Sequence, residues 1–533
     1  MSDFIIIGQF FALIGAYMFF AARRGLFALK FFQQQEYKNG KFIKFIFHQM
    51  QLVDKIASVA AVILMAATWQ TGAMGWAGAL VFLAAGIREK NPFRTAKKKL
   101  VFTARAQRIY FIAMALVLLI ALVAGFFAFL WTIESWMVWK FSVFVPTLIM
   151  MVFLANLPPF VIIVSNMILF PFEWMLRRKY AAEAQQKLRE LNPVCIGITG
   201  SFGKTSTKNI CAHIMKSAGL STYATARSIN TLMGVSRVIR EELKPSHKYF
   251  IVEMGTDHPG GIPALCKLIA PRFGILTAVG AAHYENFGSA DAIAVEKFSL
   301  PRAIHDNGGK CVINAAQIAR EFIENYAPAD AVILPADAVK NVTVRADGLH
   351  FHFRGREIFA PVYGTHAANN IALAITTAEI LGVPMDTIVA ALKSLPQTEH
   401  RLEVRQMGKM TLIDDGFNSN IDGFLSAVDT LRILADAHHG RAIIITPGMV
   451  ELGAKHDEYH KTAGARTNER ADIVIAVASD RIPTFTAEID PKKLIRVANK
   501  AAADKWLSEN AAPNDVVLYE NDLPDLFEEK III

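Results

Sequence analysis

The chain has 533 residues, too many for one ordinary core, so about three domains is the expectation. Hydrophobic residues make up 53% of it, and the excess falls before about residue 175, which excludes a uniformly soluble enzyme. The formal charge of +9 would suit nucleic acid, but the basic residues cluster beside apolar stretches, so membrane-flanking charge accounts for them and no nucleic-acid partner is expected.

Residues 4–22 are apolar and end on Arg23-Arg24, without the basic start or small-residue cleavage site of a signal peptide. Residues 31–50 mix Phe and Tyr with Lys, Gln and His, which predicts a helix either lying at the cytoplasmic interface or packed against the spans. Residues 56–87 are too long for one span and break at 70–75, predicting two short helices with an outside turn. Residues 110–131 form a span by length and apolarity, and residues 137–154 another, ending at Leu157-Pro158-Pro159. Residues 160–176 are either a second interfacial helix or a sixth apolar element. Lys and Arg fall in alternate connections, at Arg23-Arg24, 38–55, 88–108 and Arg177-Arg178-Lys179, whereas 70–75 and 132–135 carry none. This predicts about five spans in the cytoplasmic (inner) membrane, N-terminus outside, with the catalytic half in the cytoplasm.

From residue 192 onward strand-like and helical runs alternate, the signature of α/β layering. A strand at 194–199 runs into Gly200-Ser201-Phe202-Gly203-Lys204-Thr205-Ser206, and a helix is expected from Thr207. Glycines there let backbone N–H groups converge on an anion, and the helix N-terminus adds its dipole. Lys204 reaches terminal phosphates, and the Thr205 or Ser206 hydroxyl can ligate Mg²⁺. Strands are also expected at 249–253, 273–277 and 311–314, and their C-terminal edge is where ligands gather in such folds. Three further motifs end there: Glu253-Met254-Gly255, the 281–289 segment with His283, and Glu296-Lys297-Phe298. Alone, each has an ordinary explanation. Glu253 and His283 could be satisfied structural polar groups, and Lys297 a solvated helix residue. The cysteines, Cys195, Cys211, Cys266 and Cys311, show no CxxC pairing and fit buried thiols in a reduced cytoplasmic domain.

Taken in order, these words resemble the Mur ligase family, particularly its dipeptide-adding, MurF-type branch, which completes the peptidoglycan stem peptide. The resemblance rests on 198–205, Asn230-Thr231 with Gly234-Val235, Glu253-Met254-Gly255 with His258-Pro259-Gly260, and 283–289. It continues through Gly364-Thr365-His366 with Asn370, Arg401-Leu402-Glu403, 413–420, and 448–453 with His460. It covers roughly residues 190–530, not the membrane half, and implies two α/β domains there. With the helical transmembrane domain (1–185) read from the apolar spans, the expected fold is that domain followed by the two α/β domains. These are a central ATP-binding domain (190–396) and a Rossmann-like C-terminal domain (397–533), with strands expected at 410–413, 442–446, 472–477 and 515–519.

The resemblance also implies roles. Gly200, Ser201, Gly203, Lys204, Thr205 and Ser206 would hold ATP phosphates, with Asn314 on the adenine side. Thr205 and Glu253 would ligate one Mg²⁺ and His283 a second. Lys297 aligns with a lysine that CO₂ carbamylates in the family, turning a cation into an oxygen ligand suited to Mg²⁺. Arg401 and Asp415 would close over ATP from the third domain. The implied chemistry is an ADP-forming amide ligation through an acyl-phosphate, formed in a water-poor cleft when the domains close.

The chain departs from that branch in three places. Membrane-like sequence stands where the UDP-sugar domain would be. Ala315-Ala316-Gln317 replaces acidic residues after Asn314. Leu518-Tyr519-Glu520-Asn521-Asp522 and Thr446-Pro447-Gly448 replace the branch's Lys-Gly-Ser and Leu-Gly-Asp stretches in the lobe that recognises the amine. The expected activity is therefore a membrane-anchored acid–amino-acid ligase. Its amine donor would be an amino acid or short peptide, and its carboxylate acceptor a lipid-linked or polymeric envelope molecule. A membrane-tethered polyamide synthase of the poly-γ-glutamate type and a non-catalytic scaffold are the alternatives. The spans lack the acidic residues or repeat of an ion-coupled carrier.

Overall fold

The computed structural model describes residues 3–48, 74–89, 91–93, 99–135, 141–226, 228–280, 284–416, 420–450, 452 and 455–521. The chain divides into two units, one reaching Leu176 and one starting at Arg177.

The first unit is helical: α1 (Asp3–Gln34), α2 (Asn39–His48), α3 (Met74–Arg88), α4 (Ala104–Ser135) and the start of α5 (Phe141–Leu191). Among the described residues, three stretches are long and apolar enough to cross a membrane: Ile7–Gln34, Ala104–Ala124 and Phe153–Leu191. Gly75–Arg88 is a shorter apolar helix. The first half of the expected 56–87 pair and residues 136–140 lie outside the described residues. One boundary differs from expectation: α5 runs straight through Pro158-Pro159. Pro158 has no N–H for the Leu154 carbonyl four residues back, and the buried Tyr17 hydroxyl of α1 donates to that oxygen instead, at 3.1 Å. Residues 160–176 are therefore continuous with the helix before them. The 31–50 segment is split between α1 and α2, and its rings pack inward. Phe31 lies 5.0 Å from Phe45 and Phe32 4.9 Å from Phe42, centroid to centroid, all four buried. On α4, by contrast, Phe111, Leu118, Leu119, Leu122, Val123 and Phe126 remain exposed.

The second unit contains two parallel-type sheets. Strands β1 (Val194–Thr199), β2 (Thr222–Ala224), β3 (Tyr249–Glu253), β4 (Phe273–Leu276), β5 (Lys310–Asn314) and β6 (Val332–Leu334) form the first. They run parallel in the order β2-β3-β1-β4-β5-β6. Such a sheet must be covered on both faces, and its strands alternate accordingly. Ile196, Ile198 and Ile251 point to one core, while Cys195, Phe250 and Val252 point to the other. Helices α6 (Lys204–Ser217), α7 (Leu232–Glu241), α8 (Gly261–Ile269), α9 (Ala290–Asp306) and α10 (His366–Ile380) supply the covering layers, α6 and α10 on the first face and the others on the second. The four cysteines are buried. Burial pushes the Cys195, Cys211 and Cys266 thiols up to about 12, so they are inert packing groups.

An antiparallel sheet of β7 (Val339–Arg345), β8 (Gly348–Phe353) and β9 (Arg356–Ala360), absent from the sequence expectation, packs Leu349, Phe351 and Phe353 into the α6–α10 core. The last sheet takes the order β10-β11-β15-β12-β13-β14. Its strands are β10 (Glu403–Met407), β11 (Met410–Asp415), β12 (Ala442–Thr446), β13 (Ile473–Val477), β14 (Leu494–Val497) and β15 (Val516–Glu520), and only β10 runs antiparallel.

Candidate active site

The site begins where β1 ends. Gly200 has φ 151° and Gly203 φ 80°, values that favour glycine. A Cβ on Gly200 would lie 2.1 Å from Thr277 Oγ1, and one on Gly203 2.7 Å from Asn370 Oδ1. Ser201 fixes the loop to the strand beside it: its hydroxyl donates to Gly280 O at 3.1 Å and its N–H to Ala278 O at 2.9 Å. Helix α6 starts at Lys204, a turn earlier than the Thr207 expected from sequence. The cause is Gly203: it is the left-handed N-cap, and its carbonyl already accepts from the N–H and hydroxyl of Thr207. Lys204, Thr205 and Ser206 therefore occupy the first turn, whose N–H groups have no intrahelical partner and suit an anion.

Lys204 Nζ donates to Gly200 O at 2.6 Å and Ser201 O at 3.1 Å. Burial, reinforced by the Lys297 charge and opposed by Glu253, lowers its pKa to about 7. Of the two candidate hydroxyls, Thr205 is the one that reaches Glu253, donating to Oε2 at 2.9 Å. Glu253, buried at the end of β3, also takes Lys208 Nζ on Oε2 and Asn230 Nδ2 on Oε1, both at 3.3 Å. Lys208 is a site residue that motif reading passed over. Its signal was the i, i+4 spacing from Lys204, which puts both on one helix face.

Lys297 on α9 is 3% exposed, so it is no solvated face residue. Burial lowers its pKa to about 8, against the pull of Glu296. Glu296 itself points elsewhere, accepting from Gly260 and Ile262 N–H at 2.7 Å each and so capping α8. Asn314 is buried at the end of β5, with Nδ2 donating to Thr277 O at 2.9 Å and Oδ1 accepting from Ala316 N–H at 3.2 Å. His283 lies outside the described residues, as do 417–419, Glu451 and Gly453.

The second sheet contributes Asp415 at the end of β11. Its Oδ1 accepts the Leu402 N–H at 3.2 Å, and burial raises its pKa to about 6 against the nearby Arg401 charge. Arg401 also acts on Lys204 and on His366, whose pKa burial lowers to about 4. Its guanidinium thus lies within electrostatic reach of groups from both sheets. Neighbouring Asp414 faces the other way, toward His400 Nδ1 at 2.8 Å and Arg405. Glu520 is fully buried and in register with Asp415, a partner not anticipated from sequence.

Parallel sheet and second α/β lobe define a two-lobed α/β architecture with a glycine loop at the end of β1. Residues 198–378 match the Mur ligase middle domain and residues 400–519 the Mur ligase glutamate ligase domain. The chain belongs to the Mur ligase family. Among its relatives is the UDP-N-acetylmuramoyl-tripeptide–D-alanyl-D-alanine ligase of Mycobacterium tuberculosis (strain CDC 1551 / Oshkosh), 32% identical over 355 residues, 61% of this chain and 69% of that one. The Mycobacterium bovis protein of the same name is 32% identical over 286 residues, covering 50% of this chain and 56% of its own. The chain thus spans about half to two thirds of these relatives. The fold is similar to MurF ligase from Thermotoga maritima in complex with ADP, with TM-score 0.57, 24% identity, 67% of this chain and 82% of that chain. MurF from Acinetobacter baumannii gives 0.57 at 22% identity, covering 65% and 77%.

Proposed function

We propose that the protein is a membrane-anchored, ADP-forming acid–amino-acid ligase acting on a membrane-held cell-envelope acceptor. The observation that carries this reading is the convergence of Lys204, Thr205 and Glu253 on one glycine-lined loop, with the Lys297 and Arg401 charges within reach. The loop suits a polyphosphate because its glycines, which pack against Thr277, Ala278 and Asn370 too closely for a Cβ, hold the first-turn N–H groups of α6 open to an anion. A hydroxyl beside a carboxylate is a hard oxygen pair suited to Mg²⁺.

In this reading Gly200, Ser201, Gly203, Lys204, Thr205 and Ser206 hold ATP, with Asn314 toward the base. Thr205 and Glu253 hold one Mg²⁺, and His283 with Lys297 serves a second. ATP supplies the phosphoryl group that turns a poor electrophile, a carboxylate, into an acyl-phosphate. Lys204 neutralises phosphate charge, and Arg401 and Asp415 bring the second lobe onto the site. Lys297 is sequestered and easily neutral, the state in which an amine adds to CO₂. The C–N bond forms, a proton leaves, and a carbamate anion replaces the ammonium.

The relatives' names specify a tripeptide acceptor and D-alanyl-D-alanine. Here the amine is an amino acid or short peptide, and the acceptor is lipid-linked or polymeric, held where the apolar helices hold the enzyme. The helices are read as a multi-pass anchor in the cytoplasmic membrane, N-terminus outside and both α/β lobes in the cytoplasm. The test uses full-length protein in detergent with ATP, Mg²⁺, candidate amines and lipid-linked acceptors, scored for ADP, phosphate and a new amide by mass spectrometry. A single adduct supports the ligase, and a ladder supports a polyamide synthase instead. If no pairing yields an amide and Lys297→Ala changes nothing, the reading fails.

A further inference from the structure

Lys208 is 1% exposed, and its ammonium sits 3.3 Å from Glu253 Oε2, the same oxygen that takes the Thr205 hydroxyl. The other carboxylate oxygen is occupied by the Asn230 amide. Glu253 is therefore charge-compensated and hydrogen-bonded by the protein's own groups. A sequestered ion pair is weak evidence for stability, because desolvating both charges costs about as much as their attraction returns. A neutral donor such as a glutamine would satisfy the hydrogen bond to Glu253 but leave its buried charge uncompensated. A lysine adds something a neutral donor does not: a positive charge beside the oxygen a divalent cation would take, with burial lowering its pKa and Glu253 opposing that shift.

We propose that Lys208 is a resident counter-cation that opposes binding of a bare divalent metal at Glu253, so that metal is retained there only together with nucleotide phosphates. This rests on the reading that Thr205 and Glu253 serve the metal of a metal–nucleotide complex. Two cations sharing one carboxylate in a water-poor site repel strongly, and the repulsion is lifted only when further anionic charge arrives. Polyphosphate supplies that charge from the adjoining first turn of α6. The consequence is an order of binding: the empty loop stays metal-free, and metal enters with its nucleotide. Lys208 acts here through Glu253, as a positioning residue.

The probe is Mn²⁺, titrated by electron paramagnetic resonance at pH 8 into full-length protein in detergent, alone and with a non-hydrolysable ATP analogue. Lys208→Met and Lys208→Gln remove the charge, the latter keeping a donor for Glu253, and circular dichroism together with the Mn²⁺–nucleotide titration establishes that each variant is folded. Lys208→Arg keeps the charge. The expected result is that both neutral variants bind bare Mn²⁺ at least about tenfold tighter than wild type, with Lys208→Arg unchanged and Mn²⁺–nucleotide affinity little affected. Equal or weaker bare-metal binding by the neutral variants would overturn the proposal and make Lys208 a mere support for Glu253. If Mn²⁺–nucleotide binds to none of the proteins, the ATP reading falls and takes this one with it. If it binds but bare-metal affinity is unmoved, only this inference falls.

Discussion

Thr205, in the first turn of α6, donates its hydroxyl to Glu253 Oε2 across 2.9 Å, tying the glycine loop to the end of β3. That bond joins two motifs separated by 48 residues and gives the site its oxygen pair. Glu253→Gln keeps an acceptor for Thr205 but removes the charge. ADP formation is expected to fall about 100-fold or more, the scale seen when charge stabilisation is removed from phosphoryl transfer. Thermal melting should also drop, because Lys208 loses its counter-charge, an effect of about 3–5 kcal/mol for breaking a buried pair from one side. A near-wild-type ADP rate in this variant would remove Glu253 from the metal site.

Gly200→Ala tests the cradle itself. The new Cβ would meet Thr277 Oγ1 at 2.1 Å and Ala278 N at 2.8 Å, so the loop must move. Helix content by circular dichroism should hold, while nucleotide affinity falls by about tenfold or more, in line with a strain of about 1–3 kcal/mol at a glycine-only conformation. Unchanged affinity would mean phosphates do not sit in this loop.

Asp415 carries a pH signature. Its folded-state pKa is raised to about 6, above the usual 3.8, chiefly by burial. Between those values the folded protein holds a proton that the unfolded chain has released. Stability from this group is therefore full below about pH 4, falls as pH rises toward 6, and stays reduced above it. Asp415→Asn should melt higher than wild type at pH 8, by on the order of 1–3 kcal/mol, with the gain vanishing toward pH 4. Ligase turnover should fall in the same variant. A variant that is less stable at pH 8 would show that Arg401, Leu402 and Glu520 hold the carboxylate more strongly than burial disfavours it.

Lys297 should carry a carbamate in the active enzyme. With ¹³C-bicarbonate, a carbamate carbon resonance is expected in the wild-type spectrum and not in that of Lys297→Arg. Matching spectra would leave Lys297 an ordinary buried amine.

Phe111, Leu118, Leu119 and Leu122 line an exposed face of α4 that water would not tolerate over this length. The protein should stay with membranes through alkaline carbonate washing and leave only with detergent. Release by carbonate alone would exclude a spanning anchor.

Much of this was legible in the chain because its signals are local. Glycines 200 and 203, Lys204 and Thr205 are contiguous, and the strands at 194–199 and 249–253 are continuous apolar runs of the kind a doubly covered sheet requires. What the sequence hid depends on contacts between distant segments. The helix through Pro158-Pro159 is permitted by Tyr17, 137 residues away from the carbonyl it satisfies. The earlier start of α6 depends on the left-handed Gly203, and the Asp415–Glu520 neighbourhood on the register of β11 with β15. Lys208 went unnoticed because its partner Glu253 is 45 residues away in the chain. The three-stranded sheet at 339–360 was missed because β7 is largely exposed and leaves little apolar periodicity to read, although β8 alternates Leu349, Phe351 and Phe353 into the core.

The most direct test of the ligase reading follows oxygen. An acceptor labelled with ¹⁸O in its carboxylate should deliver one ¹⁸O to inorganic phosphate for each amide formed, alongside one ADP, because the carboxylate oxygen that attacks phosphorus leaves with it when the amine adds. Release of AMP, or phosphate free of label while amide accumulates, would contradict an acyl-phosphate route at this site.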